Sequence, residues 1–201
     1  LAGDALFVEA DLRQASAVEG LVRECVEAYR RLDFAVNNAG IMSPARVRTH
    51  ELPEGAWDKI IAVNLKGVWL CMKYEIPRML EQGSGAIVNI SSIAGLVGIA
   101  NTSSYTATKH GVVGLTKTAA LEYGGDGIRI NAVCPGYTRT PIVDRAVALR
   151  PDLAEWAVER HPIGRMAEPQ EIAEASVWLC SDAASFVTGH TMPVDGGYTA
   201  Q

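Results

Sequence analysis

Residues 86–136 read AIVNISSIAGLVGIANTSSYTATKHGVVGLTKTAALEYGGDGIRINAVCPG, and this stretch decides the fold. Short apolar runs at 86–90 and 128–133 enclose a segment with helical periodicity at 104–123. Apolar runs bounded by glycine, serine and proline are typical of strands that are buried in a parallel sheet. A strand, a helical crossover and a second strand therefore predict one βαβ unit.

The same alternation continues on both sides of this unit. Further strands are predicted at 6–8, 34–36 and 191–194, and further helices at 16–29, 54–82, 141–160 and 169–181. The alternation continues without an internal repeat or a linker, which favours one domain over residues 1–201. We therefore predict an α/β protein with a doubly wound parallel sheet.

Composition excludes several classes of protein. The chain has 201 residues, of which 48% are hydrophobic and 20% charged, as is typical of globular domains. Its net charge of −5 argues against a nucleic-acid surface, which needs a basic stripe. The apolar runs are too short to span a membrane and no leader peptide is recognisable, so we predict a cytoplasmic protein. The 4 cysteines and 4 histidines are too scattered to predict disulfides or a metal site.

Small and polar residues gather where four of the predicted strands end. They are Asp11 with Leu12, the run Asn38, Ala39 and Gly40, the pair Ser91 and Ser92, and the run 135–140. Ligands of parallel sheets bind beyond the carboxyl ends of the strands. The sequence therefore predicts one shared crevice at that edge.

Tyr105 and Lys109 are one helical turn apart and share a helix face. Taken alone, the pair is more often a surface tyrosine beside a solvated lysine. Three features favour a site: the helix around the pair consists of small residues, Ser92 ends the preceding strand, and Asn64 interrupts an apolar helix. A buried amide needs a partner, so Asn64 either bonds to the backbone in the core or belongs to the site.

These four residues could together exchange a proton with a substrate. A tyrosine has a pKa of about 10, too high for efficient acid–base work at neutral pH. A nearby ammonium stabilises phenolate, so Lys109 is expected to lower the pKa of Tyr105. The Ser92 hydroxyl could hold the substrate oxygen. Because no protein side chain stores a hydride, a redox role requires a cofactor.

The order and spacing of these motifs resemble the short-chain dehydrogenase/reductase family. The matching stretches are Asn37-Asn38-Ala39-Gly40, Asn64 between Val63 and Leu65, Ser91-Ser92, Tyr105-x-x-x-Lys109, Pro135-Gly136-Tyr137-Thr138-x-Thr140 and Val194-Asp195-Gly196-Gly197. The resemblance implies a Rossmann-like three-layer αβα domain. It also implies an oxidoreductase that transfers a hydride between NAD(P) and a secondary alcohol or ketone, and overall it favours NAD over NADP.

The resemblance implies a role for each residue of the predicted site. Tyr105 would be the general acid or base, Lys109 would lower its pKa and bond to the nicotinamide ribose, and Ser92 would orient the substrate oxygen. Asn64 would hold a water that links Lys109 to solvent, whereas Asn37 would make a structural bond at a strand end. Further cofactor contacts are implied for Asp11 and Leu12 at the adenine, Asn38, Ala39 and Gly40 along its ribose, and Pro135, Gly136, Thr138 and Thr140 around the nicotinamide.

The sequence departs from the family's pattern at its front. The family's first strand, its TGxxxGxG turn and its second strand–helix unit are not in this sequence. That turn normally cradles the pyrophosphate, and the second strand normally ends in the residue that selects NAD or NADP. We therefore expect an N-terminally incomplete sheet that starts about two βα units late, with roughly fifty further residues upstream. Residues 6–8 would then lack a neighbouring strand.

The sequence constrains the substrate and the oligomeric state less than it constrains the fold. Apolar residues between 140 and 164 either line a substrate pocket or pack on the core; they are Ile142, Val143, Ala146, Leu149, Leu153, Trp156 and Val158. The resemblance suggests a homotetramer or a dimer, with candidate contacts, or ordinary core residues, at Trp69, Met72, Val112, Val113, Leu115 and Thr116. Two alternatives remain open: a 3-oxoacyl carrier-protein reductase that uses the same residues, and a catalytically inactive oligomerising scaffold.

Overall fold

A computed structural model describes residues 5–42, 46–149 and 152–200. Four strands form one parallel sheet in the order β1-β2-β3-β4. They are β1 (Phe34–Asn37), β2 (Gly85–Ile90), β3 (Ile128–Pro135) and β4 (Thr191–Val194). The predicted parallel α/β sheet is confirmed, and the carboxyl ends of these strands share one edge.

Helices cover both faces of this sheet. They are α1 (Ala15–Tyr29), α2 (Glu54–Ile61), α3 (Gly67–Gln82), α4 (Ser103–Tyr123), α5 (Pro141–Leu149), α6 (Asp152–Glu159) and α7 (Pro169–Cys180). Helices α3 and α4 pack on one face, against Ile87 and Ile130, and α7 packs on the other, against Val88 and Val133. Because both faces are covered, β2 is an almost continuous apolar run rather than an alternating one.

The strand predicted at residues 6–8 is wrong. The structure gives these residues no strand pairing, and the side chain of Phe7 is 88% exposed. A strand exists only when its backbone groups bond to a neighbour, and no strand in the described part of the chain lies beside this segment. The apolar run alone was therefore an insufficient signal.

The helix predicted at 54–82 is confirmed, but it is not regular throughout. A π-helical turn at Ala62–Lys66 joins α2 to α3, with the fully buried Asn64 at its centre. The Asn64 amide donates to the Ile41 carbonyl at 2.8 Å, and the Ile41 N–H donates to Asn64 Oδ1 at 2.8 Å. These two bonds attach the loop after β1 to the helix, at a distortion that is frequent in functional sites.

Most of the residues proposed for subunit contacts are core residues of this chain. Met72, Val112, Val113 and Thr116 are buried within it, whereas Trp69 is 44% exposed. Leu115 is partly exposed on α4. Only Trp69 and Leu115 therefore remain available at the surface.

The stretch predicted as helical at 141–160 contains two helices, α5 and α6. Leu153 is buried in the core, and Trp156 is partly exposed. The side chains of Ile142, Ala146 and Leu149 lie outside the part of the chain that the structure describes. Across the described residues, no helix combines the length and apolar character that a membrane span needs.

Candidate active site

Helix α4 packs on one face of the sheet, and its N-terminal part brings Tyr105 and Lys109 next to the carboxyl end of β2. Its position is fixed by the loop that follows β2. The Ser91 hydroxyl donates to the Lys109 carbonyl at 2.9 Å, and a Cβ on Gly95 would lie 2.7 Å from the same carbonyl oxygen. Only a glycine permits this approach, which explains why the loop and the helix start are rich in small residues.

Lys109 is a buried cation whose bonding is incomplete. Its side chain is 4% exposed, and Nζ donates to the Ile90 carbonyl at 2.8 Å. Nζ also lies 5.6 Å from the centroid of the Tyr105 ring. Burial lowers the pKa of Lys109 to about 8. An ammonium has three N–H donors. Within the described residues, Lys109 Nζ makes one hydrogen bond, to the Ile90 carbonyl, so two donors remain for a ligand.

The pKa of Tyr105 is shifted in the direction opposite to the one expected from its sequence. Burial raises this pKa, the interaction with the Ser92 hydroxyl opposes the rise, and the nearby Tyr137 and Cys134 add to it. The net lowering of this pKa expected from the sequence is therefore not found for the protein alone, because desolvation is the largest cause of the shift. Helical spacing reveals the neighbour of the phenol, but it does not reveal how much water the fold removes from it.

Ser92 is held beside the Tyr105 phenol at the end of β2. Its Oγ accepts a hydrogen bond from the Ala94 N–H at 3.1 Å and so caps the short 3₁₀ turn Ile93–Gly95. The side chain is only partly buried. The serine oxygen acts only as an acceptor in this cap, so its hydroxyl proton can be directed at the Tyr105 phenol or at a bound molecule.

The loop after β1 reaches the same place. A Cβ placed on Gly40 would lie 3.5 Å from Asn64 Oδ1 and 3.8 Å from Lys109 Nζ. The structure thus brings together Asn64, Ser92, Tyr105 and Lys109, which we call the strand-end cluster. The convergence of these four residues was the main geometric expectation of the sequence.

The residues expected around a nicotinamide form an ordered turn after β3. The Gly136 N–H donates to the Val194 carbonyl at 3.0 Å, and the buried Thr138 donates through Oγ1 to the Gly136 carbonyl at 3.2 Å. Thr140 Oγ1 accepts from the Val143 N–H at 3.5 Å as α5 begins. Pro135, at the end of β3, is partly exposed. The turn therefore lies at the same sheet edge as the strand-end cluster.

The other predicted cofactor residues lie on the loops that flank β1 and α1. Asn38 and Ala39 are exposed directly after β1. Asp11 forms an ion pair with Arg13 at 2.7 Å, and that guanidinium holds the pKa of Asp11 down to about 2. Leu12 packs against the cluster formed by α1 and α3. The side chains of Asp11 and Leu12 are thus engaged within the protein. The Asp11 carbonyl is engaged as well, because it accepts from the Gln14 N–H at 2.9 Å.

A second polar group lies deeper, between the sheet and helices α3 and α4. The Asn37 amide donates to Glu75 Oε2 at 3.1 Å and to Asn89 Oδ1 at 3.0 Å, and the Asn89 amide donates to Thr116 Oγ1 at 3.0 Å. We call Asn37, Glu75, Asn89 and Thr116 the core network. Burial raises the pKa of Glu75 to about 7. The structural bond expected for Asn37 is confirmed, whereas Glu75 carried no sequence signal beyond being a charge in an apolar helix.

Other groups near the strand-end cluster were not singled out from sequence. Cys134 is fully buried beside Ser91 and Lys109, and burial raises the pKa of its thiol. Tyr137 was noted in the sequence only as a member of the motif at 135–140, with no role given to its ring. Among the described residues, no cluster of histidine, cysteine and acidic side chains could hold a metal ion.

Comparisons with known proteins match the chain to dehydrogenases and reductases. A family model described as enoyl-(acyl carrier protein) reductase matches residues 1–199. The chain is 48% identical over 196 residues to cis-4-hydroxycyclohexanecarboxylate dehydrogenase of Sinomonas cyclohexanicum, covering 98% of this chain and 77% of that protein. It is 46% identical over 201 residues to cyclohexanol dehydrogenase of Acinetobacter sp. (strain SE19), covering 100% of this chain and 77% of that one.

A solved structure has the same fold as this chain. The structure of ElxO with NADP bound is similar to this chain with a TM-score of 0.92 and 35% sequence identity. The similarity covers 98% of this chain and 79% of the other. The Rossmann-like architecture expected from the sequence is thereby confirmed.

Proposed function

Because the chain belongs to the short-chain dehydrogenase/reductase family of NAD(P)-dependent oxidoreductases, we propose that it interconverts a ring-borne secondary alcohol and its ketone. The observation that carries the proposal is the strand-end cluster, in which Ser92, Tyr105 and Lys109 converge. Relatives named for cyclohexane alcohols support the choice of a six-membered ring.

Tyr105 would move the proton. In the oxidative direction its Oη takes the proton of the substrate hydroxyl, and in the reductive direction it returns that proton to the carbonyl oxygen. The Ser92 hydroxyl, which interacts with the Tyr105 phenol in the protein alone, would turn its proton to the same substrate oxygen and hold it by a hydrogen bond. Two donors aimed at one oxygen stabilise the negative charge that develops on it.

Lys109 would assist this proton transfer through its positive charge and through the position of its N–H donors. Its ammonium has two donors left, which suit a ribose hydroxyl, and its positive charge beside the Tyr105 ring favours phenolate against the effect of burial. Asn64 Oδ1 already accepts from Ile41, but an amide oxygen has a second lone pair. We assign that lone pair to the water that would link Lys109 to solvent.

The described residues fit the nicotinamide half of NAD or NADP. The unused donors of the buried Lys109 require an acceptor, and the turn formed by Gly136, Thr138 and Thr140 lies at the same edge. Asn38, Ala39 and Gly40 would follow the adenine ribose, and the backbone of Asp11 and Leu12 the adenine. When bound, the oxidised nicotinamide supplies the two-electron acceptor for the carbinol carbon. The preference for NAD stays a prediction.

Aromatic rings support a cyclic substrate. The Tyr137 ring packs edge-on against Trp156, with ring centroids 5.7 Å apart, and lies 6.4 Å from Tyr198. All three side chains are partly exposed, and Tyr137 is close enough to Tyr105 to raise its pKa. An apolar wall of aromatic rings beside the proton donor suits an alicyclic ring better than a charged chain.

We also propose self-association through α3 and α4. A groove of about 470 Å³ lies between these helices and contains Trp69, Gly111, Gly114 and Leu115. Small residues and an exposed tryptophan suit the packing of a second copy of the same helices. Light scattering should therefore give the mass of a dimer or tetramer, and Gly114→Glu should lower that mass.

The decisive experiment compares the protein with its Tyr105→Phe variant. Cyclohexanol is offered with NAD and, separately, with NADP, and formation of the reduced nicotinamide is followed by absorbance. Phenylalanine keeps the ring packing but removes Oη, so the rate should fall by about 10²–10⁴-fold. Tyr123→Phe, on the same helix, is the matched control and should keep the full rate.

Two results would contradict the proposal. A Tyr105→Phe variant as fast as the control would remove Tyr105 from the mechanism. No heat of binding with either NAD or NADP in calorimetric titration would instead favour the oligomerising scaffold.

A further inference from the structure

His161 is a buried histidine that joins α6 to the turn after β3. It is 2% exposed, with Nδ1 2.6 Å from the Ala157 carbonyl oxygen and Nε2 3.2 Å from the Tyr137 amide nitrogen. The sequence offered only a scattered histidine, 24 positions beyond Tyr137. The fold uses both ring nitrogens at once.

These two contacts determine the protonation state of the ring. A carbonyl oxygen can only accept a hydrogen bond, so Nδ1 must carry the proton that goes to Ala157. The Tyr137 N–H can only donate, so Nε2 must be unprotonated. His161 is therefore a neutral imidazole in its Nδ1-protonated tautomer, because an imidazolium would direct a second N–H at Tyr137.

The ring is also closely enclosed. A Cβ on Gly136 would overlap Nε2, and a Cβ on Gly196 would lie 3.4 Å from Cδ2. The His161 ring centroid lies 6.0 Å from that of Tyr137 and 5.4 Å from that of Tyr198. Glycine at 136 is thus required by the histidine and by the Asp195 backbone next to it.

Tyr137 is held on both sides of its peptide unit. Its N–H donates to His161, and its carbonyl accepts from the Ala167 N–H at 2.9 Å. The side chain that leaves this fixed backbone packs on Trp156 and faces the Tyr105 phenol closely enough to raise its pKa. A shift of the Tyr137 backbone would therefore move the aromatic wall relative to the proton donor.

We propose that His161 is a positioning residue that fixes Tyr137 and thereby sets the selectivity of the site for ring-shaped alcohols. This inference rests on the proposed function for the substrate, but not for the contact between His161 and Tyr137. Because Tyr137 itself transfers no proton and would act by contact with the ring of the substrate, its displacement should affect KM for a cyclic alcohol more than kcat. A small open-chain alcohol, which does not reach the wall, should be affected less.

A matched pair of variants tests the acceptor role of Nε2. In His161→Gln the amide oxygen can occupy the place of Nε2 and accept from Tyr137. In His161→Asn the shorter amide can reach only the position of Nδ1. We expect His161→Gln to retain KM for cyclohexanol within about threefold, and His161→Asn to raise it about tenfold, as an unpaired buried N–H implies. For propan-2-ol, KM should differ little between the two variants.

A second measurement does not depend on activity. Nitrogen-15 spectra of the unmodified protein should show the Nδ1-protonated tautomer of His161, and hydrogen exchange at the Tyr137 amide should be slow. Exchange should be faster in His161→Asn than in His161→Gln. An Nε2-protonated ring, or equal exchange and equal KM in the two variants, would overturn the inference. If the unmodified protein oxidised no cyclic alcohol, the proposed function would fail, while the exchange data would still decide the role of His161.

Discussion

The strand-end cluster and the core network are both polar groups buried between apolar helices. They differ in how completely their hydrogen-bond donors are satisfied within the chain. In the core network, the Asn37 and Asn89 amides are satisfied by Glu75, Asn89 and Thr116. In the strand-end cluster, Lys109 has one bond within the described chain and two donors left over. A closed network stabilises a fold, whereas unused donors at a strand end suit a ligand.

Shifted pKa values do not separate the two groups. Burial is the largest cause of both the raised pKa of Glu75, about 7, and the lowered pKa of Lys109, about 8. Structural and catalytic groups are both perturbed when a fold removes water from them. The difference lies in geometry, and substitutions in each group should expose it.

The largest effect is expected from Lys109→Met. Methionine keeps an unbranched side chain that is one atom shorter and removes the charge and donors, so turnover of cyclohexanol should fall about 10³-fold. Stability should be unchanged or higher, because the burial of an ammonium opposes folding. Steady-state kinetics and thermal unfolding measure the two effects. Lys117→Met, exposed on the same helix, is the control and should change neither; equal turnover in both variants would place Lys109 among structural residues.

The next largest effect is expected from Glu75→Gln, which should change how the stability of the protein depends on pH. Burial raises the pKa of Glu75 from 4.5 to about 7, so its contribution to stability is fully present below pH 4.5 and is lost as the pH rises through about 7. The difference amounts to about 3 kcal/mol. Glutamine keeps an acceptor for Asn37 but cannot ionise, so the variant should be more stable than the parent at pH 8.

Urea unfolding across pH 4 to 8 measures this difference, and cyclohexanol turnover should be nearly the same in parent and variant. Glu81→Gln, exposed on the same helix, is the matched control and should leave the pH profile of stability unchanged. A Glu75→Gln variant that lost activity while gaining no stability would mean that the core network takes part in the chemistry.

The sequence predicted the strand-end cluster because its signals are local. Tyr105 and Lys109 reveal their shared face through helical spacing, and the four strands of the sheet are short apolar runs between turn residues. Asn64 was noticeable as an amide in an apolar helix. Its π-helical turn was not predictable, because one extra residue per turn leaves the apolar pattern almost intact.

The missed features depend on partners that are distant in sequence. Residues 6–8 have the composition of a strand, yet a strand needs a neighbour that composition cannot reveal. The direction of the Tyr105 pKa shift depends on burial by several elements at once. The His161 contact joins residues with no shared periodicity. The identity and spacing of the reactive side chains were therefore predictable from the sequence, whereas their burial and their contacts with distant residues were not.

The smallest effect is expected from Thr116→Val, at the end of the core network. Its Oγ1 accepts from Asn89 and donates to the Val112 carbonyl at 2.8 Å. Valine has the same shape but leaves the Asn89 amide one acceptor short, so stability should fall by about 1 kcal/mol. The melting temperature should fall by about 2–4 °C, and turnover should be unchanged. Thr49→Val, at an exposed threonine outside both polar groups, should alter neither quantity. If Thr116→Val slowed turnover at constant stability, the two polar groups would be coupled, and the distinction between a closed structural network and an open reactive cluster would no longer hold.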